Sequence, residues 1–276
     1  MNPHQAQPTS LVELTSSFWR HRRLINQLVR REVIGRYRGS VLGVAWSFFN
    51  PVIMLIVYTF VFTVVFKARW GVVGDETHAN FAVILFVGLI VHGLFSEVAT
   101  RAPNLILANV SYVKRVVFPL EVLPWVAMGS ALFHTLISLV VLLLAQLLLS
   151  HHVPWTAMLF PLILAPLVFG TMGVAWFLTS IGVYVRDVGQ TISIVTTIML
   201  FLAPVFYPIS ALPPSFQTVM HLNPLTFVIE EGRKLLLFGQ LPNWGGWALY
   251  LSVSIASAWC GVWWFQKTRM GFADVV

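Results

Sequence analysis

The fold of this chain is decided by residues 122–185, VLPWVAMGSALFHTLISLVVLLLAQLLLSHHVPWTAMLFPLILAPLVFGTMGVAWFLTSIGVYV, which contain no Asp, Glu, Lys or Arg. A helix needs about 20 consecutive apolar residues to cross the hydrocarbon core of a bilayer, which is about 30 Å thick. The stretch is 64 residues long, and the break HHVP at residues 151–154 divides it in two. It therefore predicts two membrane-spanning helices joined by a short turn.

The composition of the whole chain agrees with a membrane environment. The chain has 276 residues, of which 58% are hydrophobic and 10% charged, and its mean hydropathy is +0.81. An ordinary soluble domain is about 25% charged. The net charge of +7 would suggest a nucleic-acid partner in a soluble protein, but here we interpret it as the basic flanks of membrane helices. The single cysteine, Cys260, excludes an internal disulfide and a multi-cysteine metal site.

The pattern of uncharged runs predicts an all-α integral membrane protein in three parts. Residues 1–41 form a cytoplasmic tail with an amphipathic helix, and we expect no cleavable signal peptide because these residues lack an apolar core. Residues 42–266 form a six-helix domain, and residues 267–276 form a cytoplasmic tail. The predicted spans lie at about 42–66, 79–100, 120–150, 154–184, 188–207 and 244–265, with a cytoplasmic loop at 101–118 and an external segment at 208–243.

The basic residues set the orientation of these six spans. Thirteen of the 17 Lys and Arg residues fall on the side that holds both termini, and four fall on the other side. Because cytoplasmic loops of membrane proteins carry the excess of Lys and Arg, both termini are predicted to be cytoplasmic.

Two segments outside the simple spans have apolar faces. Residues 11 to about 34 predict an interfacial helix whose arginines meet anionic lipid, although an ordinary basic flank of the first span remains an alternative. Its apolar face is formed by Leu11, Leu14, Phe18, Ile25 and Leu28. In the loop 101–118, Pro103 can open a short helix. The apolar residues Leu105, Ile106 and Tyr112 indicate either a docking surface for a partner or packing within the chain.

The external segment 208–243 is apolar but is interrupted by prolines and charges, including Pro208, Pro224, Glu230 and Glu231. Two short re-entrant or surface helices fit it better than a crossing, because irregular backbone at membrane depth must be covered by protein or line a cavity. The segment could therefore line or close the outer end of a pathway. An amphipathic surface loop is the alternative, and Glu230 and Glu231 are held as candidate site residues.

Several kinds of chemistry are missing from the sequence. No lysine follows a glycine, so the phosphate-binding motif GxxxxGK is absent, and the motifs HExxH and GxSxG are absent too. No predicted span interior carries a carboxylate or a basic side chain, whereas ion-coupled carriers normally keep such groups in the membrane. Glu97 and Glu121 lie near the cytoplasmic ends of spans, and His92 and His134 are interpreted as packing residues. The chain itself should neither hydrolyse ATP nor use a coupled ion.

Aromatic residues are abundant, with 21 Phe, 11 Trp and 6 Tyr. Many such residues anchor helices at the membrane interface. Phe201, Phe206 and Tyr207 lie where the fifth predicted span meets the external segment, and flat aromatic faces there could also stack on sugar rings. The spacing alone leaves both interpretations open.

Five groups of residues, in order along nearly the whole chain, carry a family resemblance. The chain resembles the ATP-binding cassette (ABC) type 2 permeases that export polysaccharides, and most of all the O-antigen exporters, with teichoic-acid and capsule exporters as related cases. The matching residues are Leu28, Arg31, Glu32, Arg36, Tyr37, Leu42, Gly43, Trp46, Pro51 and Tyr58; Val117, Phe118 and Pro119; Arg186, Asp187 and Val188; Pro204 to Pro208; and Asn223, Pro224, Leu225, Thr226 and Glu230.

The resemblance implies a homodimer of six-helix subunits in the bacterial inner membrane, with a sugar channel between them and two nucleotide-binding ATPase subunits below. ATP and Mg would be bound by those partner subunits, and this chain would carry no catalytic residue, cofactor or metal. The N-terminal helix would be an interface helix, and a lipid-linked glycan would enter between spans one and five. The external segment would form re-entrant helices, with Pro208, Pro224, Glu230 and Glu231 as gate candidates.

The resemblance also implies roles for two groups of residues near the cytoplasmic side. Arginines at the membrane entry could grip a pyrophosphate headgroup, or could instead dock the entry helix on anionic lipid. The entry candidates are Arg31, Glu32, Arg36 and Tyr37. The loop 101–118 would couple the permease to the ATPase. The coupling candidates are Pro103, Asn104, Leu105, Ile106 and Tyr112.

Three alternatives to a polysaccharide exporter remain. A type 2 permease could carry another cargo, such as a drug or a small lipid. An intramembrane glycosyl- or phospho-transferase should carry paired acidic residues at a membrane face, but the adjacent acidic pairs, Asp75–Glu76 and Glu230–Glu231, are predicted in external loops. A non-catalytic scaffold would not associate with an ATPase.

Overall fold

The computed structural model of the chain describes residues 11–66, 78–113 and 118–275, and within them it contains helices and loops but no β-strand. The α-helices are α1 (Leu11–Arg36), α2 (Trp46–Thr59), α3 (His78–Arg101), α4 (Val110–Val113), α5 (Val122–Ser150), α6 (Phe160–Tyr184), α7 (Val188–Leu202), α8 (Pro214–Leu222), α9 (Pro224–Leu236), α10 (Trp244–Thr268) and α11 (Phe272–Val275). The predicted all-α membrane fold is thus confirmed.

Five helical stretches in the described part of the chain are long and apolar enough to cross a membrane. They are Gly43–Phe62, Phe81–Asn104, Val122–Ser150, Trp155–Tyr184 and Trp244–Gly271. The first combines a short 3₁₀ turn, α2 and a π-helical turn at Phe60–Val65, and the fourth begins with the 3₁₀ turn Trp155–Leu159.

The helix at the fifth predicted span is shorter than expected. α7 has 15 residues, which corresponds to about 22 Å at 1.5 Å per residue and is less than the hydrocarbon core of about 30 Å. The helix ends at Leu202 because Pro204 disfavours the helical conformation at Ala203, whose ψ of 152° is extended. The chain continues in irregular conformation over residues 203–207. The count of six crossings therefore remains a prediction.

Helix α3 lies at the centre of the bundle, where it contacts α2, α5, α6, α7 and α9. Most of its apolar stretch is buried, whereas only 11% of the corresponding stretch of the first span is buried within the single chain. The outer face of α7 is exposed as well, for example at Ile194 and Ile198. The two helices on either side of the predicted lateral opening, α2 and α7, thus each bury only one residue within the single chain.

Helices α6 and α10 form the most extensive contact in the bundle. Their backbones meet at two glycines: a β-carbon on Gly173 would overlap the backbone at Ser257, and one on Gly261 would overlap the backbone of Gly173. Small residues let membrane helices approach this closely, and van der Waals packing then holds them together.

The two ends of the chain pack on this bundle. The apolar face of α1 lies against α5, where Ile25 and Leu28 are buried with Val122 and Val126. The side chains of Leu11 and Leu14, from the same predicted face, lie outside the described residues. At the other end, α10 continues to Thr268, beyond the predicted limit of 265. Phe272 of α11 is then buried against Phe265.

Candidate functional site

A cluster of charged and polar side chains lies where the end of α1 meets α3 and α5. Nη2 of Arg36 donates to a carboxylate oxygen of Glu97 at 2.5 Å. Nδ1 of His134 lies 3.2 Å from both carboxylate oxygens of Glu97, and the hydroxyl of Tyr37 lies 3.2 Å from Nε2 of the same ring. Burial raises the pKa of Tyr37, so its hydroxyl stays protonated at neutral pH. The arginine, the carboxylate and the two rings form one continuous hydrogen-bonded network.

This network forms one wall of a cavity between α1, α2, α3 and α5. The cavity has a volume of about 290 Å³, and Arg36, Tyr37, Glu97 and His134 are among the residues that line it. Other polar groups come from α2 and α5, while apolar contacts come from α2 and α3. The polar residues are Ser47, Asn50, Tyr58 and Ser138, and the apolar residues are Pro51, Met54, Phe86, Leu89 and Ile90. Such a lining can form hydrogen bonds with a hydroxylated ligand and pack against its apolar faces.

The four predicted entry residues are spread over three contacts rather than around one anion. Arg36 pairs with Glu97, Glu32 pairs with Arg101, and Nη2 of Arg31 donates to the hydroxyl of Tyr112 at 2.9 Å. Of the four entry residues, only Arg36 and Tyr37 line the cavity. Neither Glu97 nor His134 is among the site residues that the sequence predicts, because hydropathy does not show which helices are neighbours.

The 101–118 segment folds into the 3₁₀ turns Ala102–Asn104 and Leu107–Asn109 followed by α4. Pro103, Leu105 and Ile106 are buried, whereas Asn104 is exposed. Of the two interpretations of the apolar residues, packing within the chain is therefore the one observed for Leu105 and Ile106. A β-carbon on Gly182 would overlap the backbone of Pro103, so this segment lies directly against α6.

Tyr112 closes the segment by stacking on Phe118, with ring centroids 4.3 Å apart. Since the same tyrosine accepts the hydrogen bond from Arg31, α1 and the 101–118 segment are joined at this point. Residues 114–117, which include Lys114, Arg115 and Val117, lie outside the described residues.

A row of stacked aromatic rings links the far end of the first span to the residues after α7. Phe201 stacks on Phe206 at 5.6 Å, Phe206 on Phe62 at 6.1 Å, and Phe62 on Phe81 at 5.4 Å between ring centroids. We call these four rings the aromatic row. The structure thus brings together Phe201 and Phe206, which the sequence singles out, with Phe62 and Phe81, which it does not.

Tyr207 adjoins the aromatic row through its hydroxyl, which donates to the carbonyl of Phe201 at 2.5 Å. A phenolic hydroxyl is both a donor and an acceptor, so its oxygen can still accept a hydrogen bond from a ligand or water. The hydrogen bond folds the chain back on the end of α7, while Phe201 stays 59% exposed.

The exposed face of α7 leads to the aromatic row and carries polar side chains. Gln190, Ser193 and Thr197 recur every three or four residues on the same face as Phe201, and all four are exposed. The hydroxyls of Ser193 and Thr197 donate to the carbonyls of Gly189 and Ser193, four residues earlier. Their donors are thus satisfied within the helix, and the face remains able to accept hydrogen bonds from a ligand or water.

The predicted external segment, residues 208–243, is held in place by a buried arginine. Arg233, only 2% exposed, donates from Nε to the carbonyl of Ile84 at 3.1 Å and from Nη2 to the carbonyl of Val205 at 3.0 Å. It also pairs with Glu230 at 3.0 Å. Burial lowers the pKa of Arg233 to about 10, so the guanidinium is still charged at physiological pH. It connects α9 to the start of α3 and to the irregular residues after α7.

Of the other predicted gate residues, Glu231 forms an ion pair, and Pro208 and Pro224 each stand at the start of a helical turn or helix. Glu231 pairs with Lys234 at 2.7 Å and accepts a hydrogen bond from the backbone N–H of Asn243 at 2.9 Å. Pro224 is the first residue of α9, and Pro208 precedes the 3₁₀ turn Ile209–Ala211. Both acidic residues are thus engaged in ion pairs.

Comparison with known proteins covers most of the chain. The sequence profile of the ABC-2 type transporter family matches residues 23–237. The O-antigen export system permease protein RfbA of Myxococcus xanthus is 27% identical over 268 residues, which is 96% of this chain and all of that protein. Two proteins of the same name from Klebsiella pneumoniae are 26% and 25% identical over 255 residues, which is 92% of this chain and 95% of each of theirs. Since the family profile spans more than three quarters of the chain, this multi-pass membrane protein belongs to the ABC-2 type transporter family.

Proposed function

We propose that this chain is the permease subunit of an ATP-driven exporter that moves a lipid-linked polysaccharide, such as O-antigen, across the bacterial inner membrane. The observation that carries the proposal is the match, over nearly their full lengths, to relatives named as O-antigen export permeases. The match covers the bundle, the 101–118 segment and the external segment, so it is not confined to a common membrane motif.

The proposal includes partners that supply the energy. Two nucleotide-binding subunits would bind ATP and Mg, because the chain has no GxxxxGK motif. A second copy of the chain would complete the conduit, and both termini would be cytoplasmic. The exposed faces of α2 and α7 support a dimer, since polar side chains on α7 suit a water-filled path better than lipid.

We assign the cavity beside Arg36 to the entry of the substrate and the aromatic row to its exit. Because Arg36 is neutralised by Glu97, the cavity suits the hydroxyls of a sugar better than it suits an isolated pyrophosphate. Flat rings at the aromatic row favour a sliding glycan, since stacking is spread over a surface rather than fixed at one atom. Arg233 would position the external segment that closes this exit.

We assign the 101–118 segment to contact with the ATPase. Among the coupling candidates, Asn104 is exposed and would contact the ATPase. Pro103 and Ile106 are buried, so they would transmit a movement of the segment to the bundle. Arg31 and Tyr112 would pass the same movement to α1.

The test is deletion of the gene in its own host. We expect surface polysaccharide to disappear and lipid-linked glycan to accumulate in the inner membrane, and the wild-type gene should restore export. Co-purification of a Walker-type ATPase with the tagged chain should accompany this result. Loss of teichoic acid, of capsule or of drug efflux instead, with O-antigen unchanged, would assign another cargo. Nucleotide hydrolysis or glycosyl transfer by the purified chain alone would contradict the proposal.

A further inference from the structure

A groove separate from the Arg36 cavity lies between α1 and the first turns of α5. Its volume is about 580 Å³, within the range of sites for small-molecule ligands. The apolar floor includes Val29 of α1 and Met128 and Leu132 of α5, and the rim carries Arg22 and Arg23. We call it the α1–α5 groove. Neither the ATPase contact nor the substrate path uses it.

The floor of the α1–α5 groove is built by close helix packing. Gly129 lies opposite Val29, and a β-carbon on this glycine would lie 2.6 Å from Cγ2 of the valine. Trp125, Met128, Gly129 and Leu132 recur at helical spacing on one face of α5. The groove therefore follows from the α1–α5 contact and has an apolar surface along one face of α5.

The rim of the groove carries positive charge that no described acidic side chain neutralises. Arg22 and Arg23 are exposed, and no ion pair between residues of the described ranges involves either of them. The guanidinium of Arg22 lies 5.1 Å from the ring of Trp19. Glu121, at the nearby start of α5, already pairs with Arg269 at 2.9 Å. An anion at the rim would thus meet two guanidinium groups that no carboxylate among the described side chains occupies.

The position of the groove relates it to the bilayer surface. α5 starts at Val122, on the cytoplasmic side in the proposed topology, and Leu132 lies ten residues later, about 15 Å along the helix axis. With α5 entering the bilayer at its first turn, the floor would extend from the headgroup layer into the adjoining part of the acyl chains. An apolar floor with a cationic rim at this depth matches an amphiphile with an anionic head.

We infer that the α1–α5 groove binds an anionic glycerophospholipid of the cytoplasmic leaflet. Arg22 and Arg23 hold its phosphate through charge-assisted hydrogen bonds, and one acyl chain lies along Trp125 and Leu132, which are only partly buried. A free phosphate would satisfy the arginines but leave the floor empty, whereas a zwitterionic lipid would fill the floor without a net charge for the rim. The inference extends the proposed function, because the bound lipid would fix the position of α1 relative to the bundle.

The experiment is native mass spectrometry of the full-length chain in detergent with phosphatidylglycerol, phosphatidylcholine or inorganic phosphate. We expect phosphatidylglycerol to bind about tenfold more tightly than phosphatidylcholine, and inorganic phosphate not to displace it. The double variant Arg22→Gln/Arg23→Gln should lose this tenfold preference. The matched control Arg30→Gln/Arg38→Gln removes the same charge from exposed positions outside the groove and should retain it.

A second pair of measurements tests the floor independently of the charge. Leu132→Trp should fill the groove and weaken both lipids with the arginines intact. Phosphatidylglycerol with a photoreactive acyl chain should label residues 125–132. Equal binding of the two lipids, equal losses in the two arginine pairs, displacement by inorganic phosphate, or labelling confined to other helices would each overturn the inference. Export is measured separately, so such a result would leave the permease assignment standing.

Discussion

At the residue scale, two ionic groups hold opposite ends of α3. Near the start of α3, the carbonyl of Ile84 accepts a hydrogen bond from Arg233, which belongs to the predicted external segment. Near the end of α3, Glu97 binds Arg36 from α1 and His134 from α5. Because α3 is the central helix, each group connects the centre of the bundle to a segment outside the long spans.

Replacement of Arg233 by Lys should destabilise the protein by about 2–3 kcal/mol. A lysine presents a point charge in place of the planar guanidinium, so at least one of the buried carbonyls of Ile84 and Val205 would lose its donor. The midpoint of thermal unfolding in detergent should fall by several degrees. The control Lys234→Arg changes a neighbouring side chain that is 40% exposed and should alter stability by less than about 0.5 kcal/mol. An Arg233→Lys variant as stable as the parent would show that these hydrogen bonds are dispensable.

The Glu97 network should show coupling between its members. Glu97→Gln removes the charge that Arg36 and Arg101 share, so we expect a loss of about 1–2 kcal/mol in the free energy of unfolding. Arg36→Gln should cost less, because its side chain is 37% exposed. The double variant should then lose about 1 kcal/mol less than the sum of the single losses. Thermal unfolding of the four proteins measures this difference, with Arg38→Gln as the neutral control, and strict additivity would contradict the ion pair.

At the element scale, the contact of α6 with α10 depends on glycines rather than on side-chain volume. Both Gly173 and Gly261 lie within van der Waals distance of the opposite backbone, which cannot move aside as a side chain would. The contact is thus intolerant of even one added methyl group.

Gly261→Ala should therefore destabilise the protein by about 3 kcal/mol, at the upper end of the cost of overpacking. The matched control is Gly93→Ala in α3, where no atom lies within 4 Å of an added β-carbon. That control should be neutral or stabilising by up to about 1 kcal/mol, since alanine favours helix over glycine. Unfolding midpoints in one detergent provide the comparison. Equal unfolding midpoints for the two alanine variants would show that stability does not require the close approach of α6 and α10.

The elements were largely readable from the sequence, because charge and proline mark where apolar helices stop. α3 begins and ends within about one residue of the predicted limits, α10 begins at the predicted residue, and Pro214 and Pro224 are the first residues of α8 and α9. The end of α7 was misplaced, since Pro204 acts on the residue before it. The contacts between helices in the candidate site could not be predicted from the sequence. Phe62 and Phe206 stack on each other but lie far apart in the sequence, and the spacing of apolar residues does not specify which helix faces meet.

The topology of the whole molecule depends on the path of α7 and residues 203–207. Five stretches reach the length of a crossing, and the proposed topology requires a sixth at this short helix. The distribution of basic residues favours six, because both termini then fall on the more basic side.

Reporter fusions should decide between the two topologies. With six crossings, fusions at residues 110 and 186 and at the carboxyl terminus should be active as cytoplasmic fluorescent protein, while fusions at 152 and 216 should be active as external alkaline phosphatase. With five crossings, the reporter at 216 would be cytoplasmic and the one at the carboxyl terminus external. The fusions at 110, 152 and 186 serve as controls, since both topologies predict the same result for them.

The contact between Gly182 and Pro103 has a mechanical consequence. Since backbone touches backbone there, no flexible side chain is available to absorb a displacement. A push on the 101–118 segment would shift α6 directly, and α10 would follow because its Gly261 packs against the backbone of Gly173 in the same helix. The stiff half of the subunit would then tilt as a unit, leaving the sparsely packed α2 and α7 to widen or narrow the gap between them.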